Sequence, residues 1–290
     1  MNRLFCFGLG FSAQTLAERL AAKEWQIAGT ARDVGKIGHL AEHGYEIAQY
    51  SGEAGNSALP KVLHGTTHLL HSIPPGPAGD PVLEHYRGEI AKLSSLDWIG
   101  YLSTVGVYGH QEGRWVDETT PPRPNSARTE ARVQAEQTWL EFGRETGVPV
   151  QIFRLAGIYG PGRSVFDKLK AGTARRIKKD GEVFSRIHVE DIASVLEGSI
   201  ARPHAGAIYN VADDEPAAPD EVVAYAAKLI GVEPPPEIDF VEADLTPIAR
   251  SFYEGSRRIG NQRIKSELGV TLRYPTYRDG LASLLGSVER

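Results

Sequence analysis

The run LFCFGLGFSAQTLAERL, Leu4 to Leu20, decides how the rest of the chain is read. Leu4 to Phe7 is an unbroken apolar segment of the kind that forms a strand buried on both faces. Ala13, Leu16, Ala17 and Leu20 then recur at helical spacing and give one apolar stripe. Between the two lies FGLGFSA, Phe7 to Ala13, a G-x-G-x-x-A pattern at a strand-to-helix junction. Gly8 allows a tight turn there, Gly10 lets the backbone approach a pyrophosphate, and Ala13 is small enough for helix-on-strand packing. The amides of the bend and the opening helical turn, from Gly8 through Leu9, Gly10, Phe11 and Ser12, together with the helix dipole, attract anionic oxygens. The segment therefore reads as a dinucleotide site; the alternative is a glycine turn capping an ordinary helix.

Outward from this junction, short β-branched or aromatic runs alternate with helical-period stretches. That is the signature of a parallel sheet covered by helices on both faces. Strands are expected at Gln26 to Ala31, Glu46 to Tyr50, Thr67 to Ile73, Trp98 to Thr104 and Val148 to Leu155, with a helix over Thr129 to Arg144. Beyond Gly157 the order is less regular: helices at Phe166 to Ala171 and Val189 to Ile200, then a strand at Ala207 to Val211. A helix follows at Asp220 to Ile230 with Asp220 as its cap, then a strand near Asp239 to Glu242 and a closing helix at Tyr277 to Leu285. The expected fold class is α/β, a Rossmann-type doubly wound parallel sheet with a smaller lobe interleaved in sequence. Residues 1–160 plus about 187–215 are assigned to the dinucleotide-binding domain, and about 161–186 plus 216–290 to the substrate lobe.

The end of the second strand lies beside the adenosine ribose, about 20 residues past the glycines, which here falls on Thr30. A carboxylate at that place would bind a free 2′-hydroxyl and repel a 2′-phosphate, whereas the chain offers Thr30, Ala31 and Arg32. Arg32 can make a forked, charge-assisted contact with a phosphate, so NADP is favoured over NAD. Asp33 keeps NAD open, because a shift of one residue in the strand end would bring its carboxylate to the ribose. Ser72 and Ile73, at the end of the fourth strand, complete the candidate cofactor set.

Composition narrows the partners. Among 290 residues, 32 Lys and Arg stand against 37 Asp and Glu, so no strong net field recruits nucleic acid or anionic lipid, and a small molecule is the expected partner. The single cysteine, Cys6, excludes an intramolecular disulfide and a multi-cysteine zinc site and fits a reducing compartment, the cytoplasm. The opening apolar run is too short for a membrane span and lacks the cleavage pattern of a signal peptide. Thirty-one glycines and eighteen prolines without a period exclude collagen-like and solenoid readings.

Six segments occur in one order over nearly the whole chain: LSTVGVYG (Leu102 to Gly109), WVDETTPPRP (Trp115 to Pro124), RLAGIYGPGR (Arg154 to Arg163), RIHVEDIA (Arg186 to Ala193), YNVADDEP (Tyr209 to Pro216) and ELGVTLRYPTYRDGL (Glu267 to Leu281). Together with the glycine pattern they resemble the extended short-chain dehydrogenase/reductase family, the NAD-dependent epimerase/dehydratase proteins. The resemblance implies hydride exchange at a hydroxyl or carbonyl carbon of a sugar or nucleotide-sugar, and homodimers formed through the long helices. It also implies a catalytic Ser or Thr, then a Tyr with a Lys four residues later, where the cation lowers the phenol's pKa. Ser103 and Thr104 match the hydroxyl. The matching helix reads SARTEARVQAEQTW, and aligning Glu136 with the family's acidic position puts Arg128 at the tyrosine and Arg132 at the lysine. No Y-x-x-x-K occurs in that segment. Arginine keeps its proton far above neutral pH, so phenol chemistry is absent there. Losing a positioned acid or base costs typically 10²- to 10⁴-fold, whereas fixing reactants in geometry supplies roughly 7 to 11 kcal/mol, so altered redox chemistry stays open. The competing expectation is a sensor or scaffold that binds cofactor without turning it over.

Other clusters carry less. His64, His68 and His71 suggest a metal, but His68 and His71 face opposite sides of a strand, so exposed strand-end histidines are expected and no metal site is assigned. His188 and Asp191 read as structural groups at the junction of the lobes, with Asp191 capping or bracing the following helix. Arg175, Arg176, Lys178 and Lys179 read as a solvated charge run or a phosphate contact, and Tyr108 as loop packing.

Overall fold

The computed structural model describes residues 1–246, 249–250, 253 and 255–288. In chain order the strands are β1 (Arg3–Phe7), β2 (Gln26–Ala31), β3 (Glu46–Gln49), β4 (His68–His71), β5 (Trp98–Thr104), β6 (Trp115–Val116), β7 (Val150–Leu155), β8 (Gly157–Tyr159), β9 (Arg176–Lys178), β10 (Arg186–His188), β11 (Ile208–Val211), β12 (Glu237–Asp239) and β13 (Arg258–Ile259). Seven of them form one sheet in the order β11-β7-β5-β4-β1-β2-β3. β1 pairs in parallel with both β2 and β4, and the chain order runs outward in opposite directions from it. Such a reversal leaves a crevice at the carboxyl ends of the central strands. Leu4, Phe5, Cys6 and Phe7 are fully buried, as an apolar strand covered on both faces requires.

Among the described residues the α-helices are α1 (Phe11–Ala21), α2 (Val34–Glu42), α3 (Leu59–Leu63), α4 (Pro81–Ala91), α5 (Ala127–Thr146), α6 (Val165–Lys170), α7 (Val189–Ala201) and α8 (Pro219–Leu229), followed by Gln262–Leu268, Tyr277–Ser283 and Leu285–Val288. Their ends are chemically marked. The Asp33 side chain caps α2 by accepting from Lys36 N–H, and Asp80 caps α4 by accepting from Val82 and Leu83 N–H, with Pro81 opening the helix. α5 starts at a reciprocal Ser126/Thr129 capping box and stops at Gly147, which takes φ +76°. α8 departs from expectation: its N-cap is Ala218, without a side-chain bond, and Asp220 lies inside the first turn, where its charge still favours the dipole.

Contacts divide the chain into two units: Met1–Thr104, Ser126–Arg154 and Ala193–Tyr209 in the first, Val105–Asn125, Leu155–Ile192 and Asn210–Arg290 in the second. This differs from the boundary expected near residue 160, because the segment after β5 groups with the second unit. The first unit packs Phe5, Phe7, Tyr50, Leu69, Tyr101 and Trp139 into one core. The second packs Tyr159, Phe166, Val222, Ala226, Tyr277 and Leu281. The last expected strand, Asp239 to Glu242, is shifted to Glu237–Asp239, where it pairs with β9. Among the described residues no helix is long and apolar enough to cross a membrane.

Candidate functional site

Beside the reversal point the first unit carries a cleft of about 720 Å³. Gly8, Leu9, Gly10, Thr30, Arg32, Ser72 and Ile73 all line it, while Phe11 and Ser12 open α1 and are not among its lining residues. Gly8 takes φ +83°, a left-handed conformation that a side chain would strain. Its N–H donates to Thr30 Oγ1 at 2.8 Å and its carbonyl accepts from Ser72 Oγ at 2.5 Å. A Cβ on Gly8 would stand 2.8 Å from Ser72 Oγ and 3.0 Å from Ile73 Cγ1, so only glycine fits between these strands. The Leu9 N–H donates to the Thr30 carbonyl and the Gly10 N–H to the Gly8 carbonyl, both at 2.8 Å. The amides of the bend are therefore satisfied within the protein. That corrects the expectation that the bend itself grips an anion; next to it α1 opens at an N-cap, Gly10, that makes no side-chain cap bond.

Gly10 differs from Gly8. Its φ of −87° and ψ of −169° suit any residue, and a Cβ there would meet nothing nearer than Gly8 O at 4.0 Å. Thr30, expected at the ribose, is fully buried with its hydroxyl on the Gly8 amide. The outer end of β2 presents Arg32, Asp33 and Lys36 to the cleft instead. Asp33 already serves the α2 N-terminus, with Lys36 N–H 2.9 Å from its Oδ1. Burial, and then the charge of Arg32, push the Lys36 ammonium below its ordinary pKa, the mark of two cations sharing one corner.

The opposite wall is the Pro- and Gly-rich loop after β4, with Pro74, Gly76, Pro77, Ala78, Gly79 and Pro81 in the lining. Paired backbone bonds between Gly76 and Gly79 close its tip. His71 Nε2 lies 2.8 Å from Asp80 Oδ2 at its base, and Tyr50 Oη donates to the Pro81 carbonyl at 2.8 Å. Burial works to raise the Asp80 carboxyl, but the attraction and hydrogen bond of His71 outweigh it and hold the group below its ordinary value. Of this wall the sequence reading named only Ser72 and Ile73. It also missed Tyr50, Ser51, Gly52 and Glu53 beyond β3. His68 and His71 are buried, not exposed as expected: His68 packs on Trp25 and Trp98, His71 between Tyr101 and Trp139. Among the described residues no cluster of His, Cys, Asp and Glu is arranged to hold a metal.

Of the residues expected at catalytic positions, Ser103 and Arg132 have definite partners within the first unit. Ser103 is buried, and its Oγ donates to Glu136 Oε1 at 2.5 Å. Glu136 on α5 in turn faces Arg154 of β7, whose Nη2 is 2.7 Å from Oε2, with both side chains 3% exposed. Arg132 Nη1 donates to Tyr101 Oη at 3.1 Å and to the Leu102 carbonyl at 2.9 Å. Arg128 lies one turn before it, exposed, near the start of α5, and Thr104 is half-buried at the end of β5. Burial, only partly offset by Arg132, keeps the Tyr101 phenol far above its ordinary pKa.

In the second unit, His188 accepts from Glu190 N–H and packs edge-on against Tyr159 and tilted against Tyr274; burial and then Arg273 push its imidazole down to about 4, so it is neutral. Asp191 braces the backbone elsewhere, accepting from Arg273 N–H at 2.6 Å and Tyr274 N–H at 3.0 Å. The basic run is bound internally: Arg175 to the Asp244 carbonyl, Arg176 and Lys178 to Glu237, Lys179 to Glu182. Tyr108 is buried, with its hydroxyl on Asn210 Oδ1.

The chain matches the model of the NAD dependent epimerase/dehydratase family over residues 88–212. It is 49% identical to a functionally unknown conserved protein from Silicibacter pomeroyi DSS, with a TM-score of 0.90 over 100% of both chains. Protein YeeZ of Escherichia coli (strain K12) is 29% identical over 95% of this chain and 97% of its own length. The fold is shared with dTDP-glucose 4,6-dehydratase from Bacillus anthracis str. Ames, solved in complex with NAD: 19% identity and a TM-score of 0.78 over 100% of this chain and 96% of that one.

Proposed function

We propose that this chain binds a nicotinamide dinucleotide in the cleft at the end of β1, with NADP preferred, and exchanges hydride with a small molecule of the sugar or nucleotide-sugar class. Gly10 carries the reading. It lines the cleft, has ordinary backbone angles and is surrounded by open space, so nothing in the protein itself calls for a missing side chain there. A ligand backbone approaching the α1 N-terminus does call for one. The preference for NADP rests on Arg32 and Lys36 at the outer end of β2 and on Asp33, whose carboxylate is held by the α2 cap. NADP brings the hydride-carrying carbon; the chain brings the helix amides that hold the pyrophosphate and the cations that hold the 2′-phosphate.

The chemistry differs from the family's, because Arg128 and Arg132 stand where a phenol and an ammonium are expected. Arg132 secures the end of β5 through Tyr101 and the Leu102 carbonyl. Arg128 is assigned the part of a fixed electrophile that stabilises developing oxyanion charge without giving up its proton. Arg128→Ala is expected to lower turnover while leaving cofactor affinity nearly unchanged, measured by nicotinamide absorbance over a panel of sugar substrates; equal turnover in the two proteins contradicts that role.

One observation favours a second reading, a cofactor-binding sensor or scaffold without turnover. The Ser103 proton is committed to Glu136, and Arg132 Nη1 is committed to Tyr101 and the Leu102 carbonyl, so the Ser103 hydroxyl is not arranged as a donor to substrate oxygen. Binding without absorbance change under every substrate supports it, and turnover with any one of them excludes it. We assign the protein to the cytoplasm and retain the homodimer as its assembly, on the single buried cysteine and the family resemblance respectively.

A further inference from the structure

We infer that Thr30 and Ser72 are positioning residues that hold the glycine bend in its cofactor-accepting shape before any cofactor arrives, an inference resting on the cofactor reading above. Their hydroxyls reach Gly8 from the two strands flanking β1. Thr30 Oγ1, on β2, takes the Gly8 N–H at 2.8 Å. Ser72 Oγ, one residue past β4, gives its proton to the Gly8 carbonyl at 2.5 Å, with Phe7 O at 3.2 Å as a second acceptor. Both polar groups of one residue are thus seized by side chains from opposite sides. A bend with φ +83° is a conformation that a glycine leaves easily, because glycine has the most backbone freedom to regain. Fixing it sets where Gly10 ends β1's exit and where α1 begins, and so aims the N-terminus of that helix at the cleft. Without the two hydroxyls, the ligand's own binding energy would have to order the bend, which lowers apparent affinity.

The two contacts also explain why the bend's amides are unsuited to an anion and why the threonine at the expected ribose position is turned inward. Thr30 is wholly buried, and the Leu9 N–H bonds to its carbonyl, so one residue of β2 holds two successive amides of the bend.

The test uses the full-length protein and four variants: Thr30→Val, Thr30→Ser, Ser72→Ala and the double variant Thr30→Val/Ser72→Ala. Two readouts are taken. Hydrogen exchange of the Phe7 to Ser12 segment is followed without ligand, and NADP and NAD affinities are measured by calorimetry. Thr30→Val keeps the side chain's shape and removes the acceptor, so exchange at the bend is expected to speed up about tenfold while β2 and β5 keep their protection; NADP affinity is expected to fall about tenfold. Thr30→Ser, which restores a hydroxyl, is expected to recover most of both. A purely structural threonine would lower the melting temperature and leave protection of the bend, relative to the strands, and affinity unmoved. The inference is overturned if Thr30→Val and Ser72→Ala leave exchange at the bend at the parental rate. It is equally overturned if exchange rises but affinity for a nucleotide that the parent binds does not fall. If the parent binds neither nucleotide, the cofactor reading fails by itself, and the exchange data alone decide whether the hydroxyls hold the bend.

Discussion

Replacing Gly10 by alanine separates what the fold needs from what a ligand needs, because the two effects have opposite weights. The backbone of Gly10 lies in the extended region open to all residues, and an added methyl would have Gly8 O at 4.0 Å as its nearest neighbour. Reduced freedom of the unfolded chain favours alanine by about 0.4 to 1 kcal/mol. Alanine is a poorer N-cap than glycine by a similar amount, roughly 0.5 to 1 kcal/mol. The two offset, and the melting temperature is expected to move by no more than about 2 °C. Binding behaves otherwise. The methyl projects into the cleft at the opening of α1 and holds a pyrophosphate away from the first-turn amides. Losing two hydrogen bonds to a charged group at about 1.5 kcal/mol each costs about 3 kcal/mol, a fall in affinity of roughly a hundredfold. Gly8→Ala is the control of opposite character: its methyl would stand 2.8 Å from Ser72 Oγ on a backbone at φ +83°, and it is expected to destabilise the fold by about 2 to 4 kcal/mol. Differential scanning fluorimetry and calorimetric titration of both variants provide the comparison. A Gly10→Ala protein that binds NADP as the parent does, or one that unfolds like Gly8→Ala, would refute the reasoning.

Three further outcomes follow from the same geometry. Arg32→Ala and Lys36→Ala should each weaken NADP roughly fivefold and leave NAD nearly unchanged, since partly exposed charge pairs are worth about 1 kcal/mol; a parallel loss for both cofactors would remove these residues from the ribose end. Arg154→Met strands the buried Glu136 carboxylate and should cost about 3 to 5 kcal/mol in urea unfolding, while Arg154→Met/Glu136→Leu should recover most of it; equal loss in both would show that packing, not charge, dominates there. Burial pushes the Asp213 carboxyl up to about 8 against the pull of Arg186, so the folded state holds a proton that the unfolded chain releases near pH 4. Stability should therefore decline as pH rises from about 4 through 8, and Asp213→Asn should flatten that slope; an unchanged profile in the variant would exclude Asp213 as its source.

How much could be read beforehand depended on whether the deciding contacts were local. The β1–α1 junction was legible because an apolar run, two glycines and a helical stripe lie within 17 residues, Leu4 to Leu20, and each constrains the next. β2 and β5 were delimited correctly at Gln26–Ala31 and Trp98–Thr104, where buried β-branched and aromatic runs have clear edges. The wall after β4 was not legible, because a Pro- and Gly-rich loop has no period and its shape is set by the Gly76 to Gly79 closure and the Asp80 cap. Ser103 was placed at the right strand end, yet its partner Glu136 lies 33 residues away and the Arg154 that holds that carboxylate 18 further on. His68 and His71 were read as exposed because the aromatic rings that bury them come from β5, α5 and the turn before β2. Counting from Gly10 found Thr30 but not the direction of its hydroxyl, which points at the bend, while Arg32 and Lys36 line the cleft at the outer end of β2.

The most direct measurement is a calorimetric titration of the purified protein with NADP and, separately, NAD. The account predicts a saturable response to NADP at lower concentration than to NAD, with both responses weakened roughly a hundredfold in Gly10→Ala. No heat from either nucleotide with folded parent protein would contradict the assignment of the cleft and remove the basis for every chemical role given to its residues.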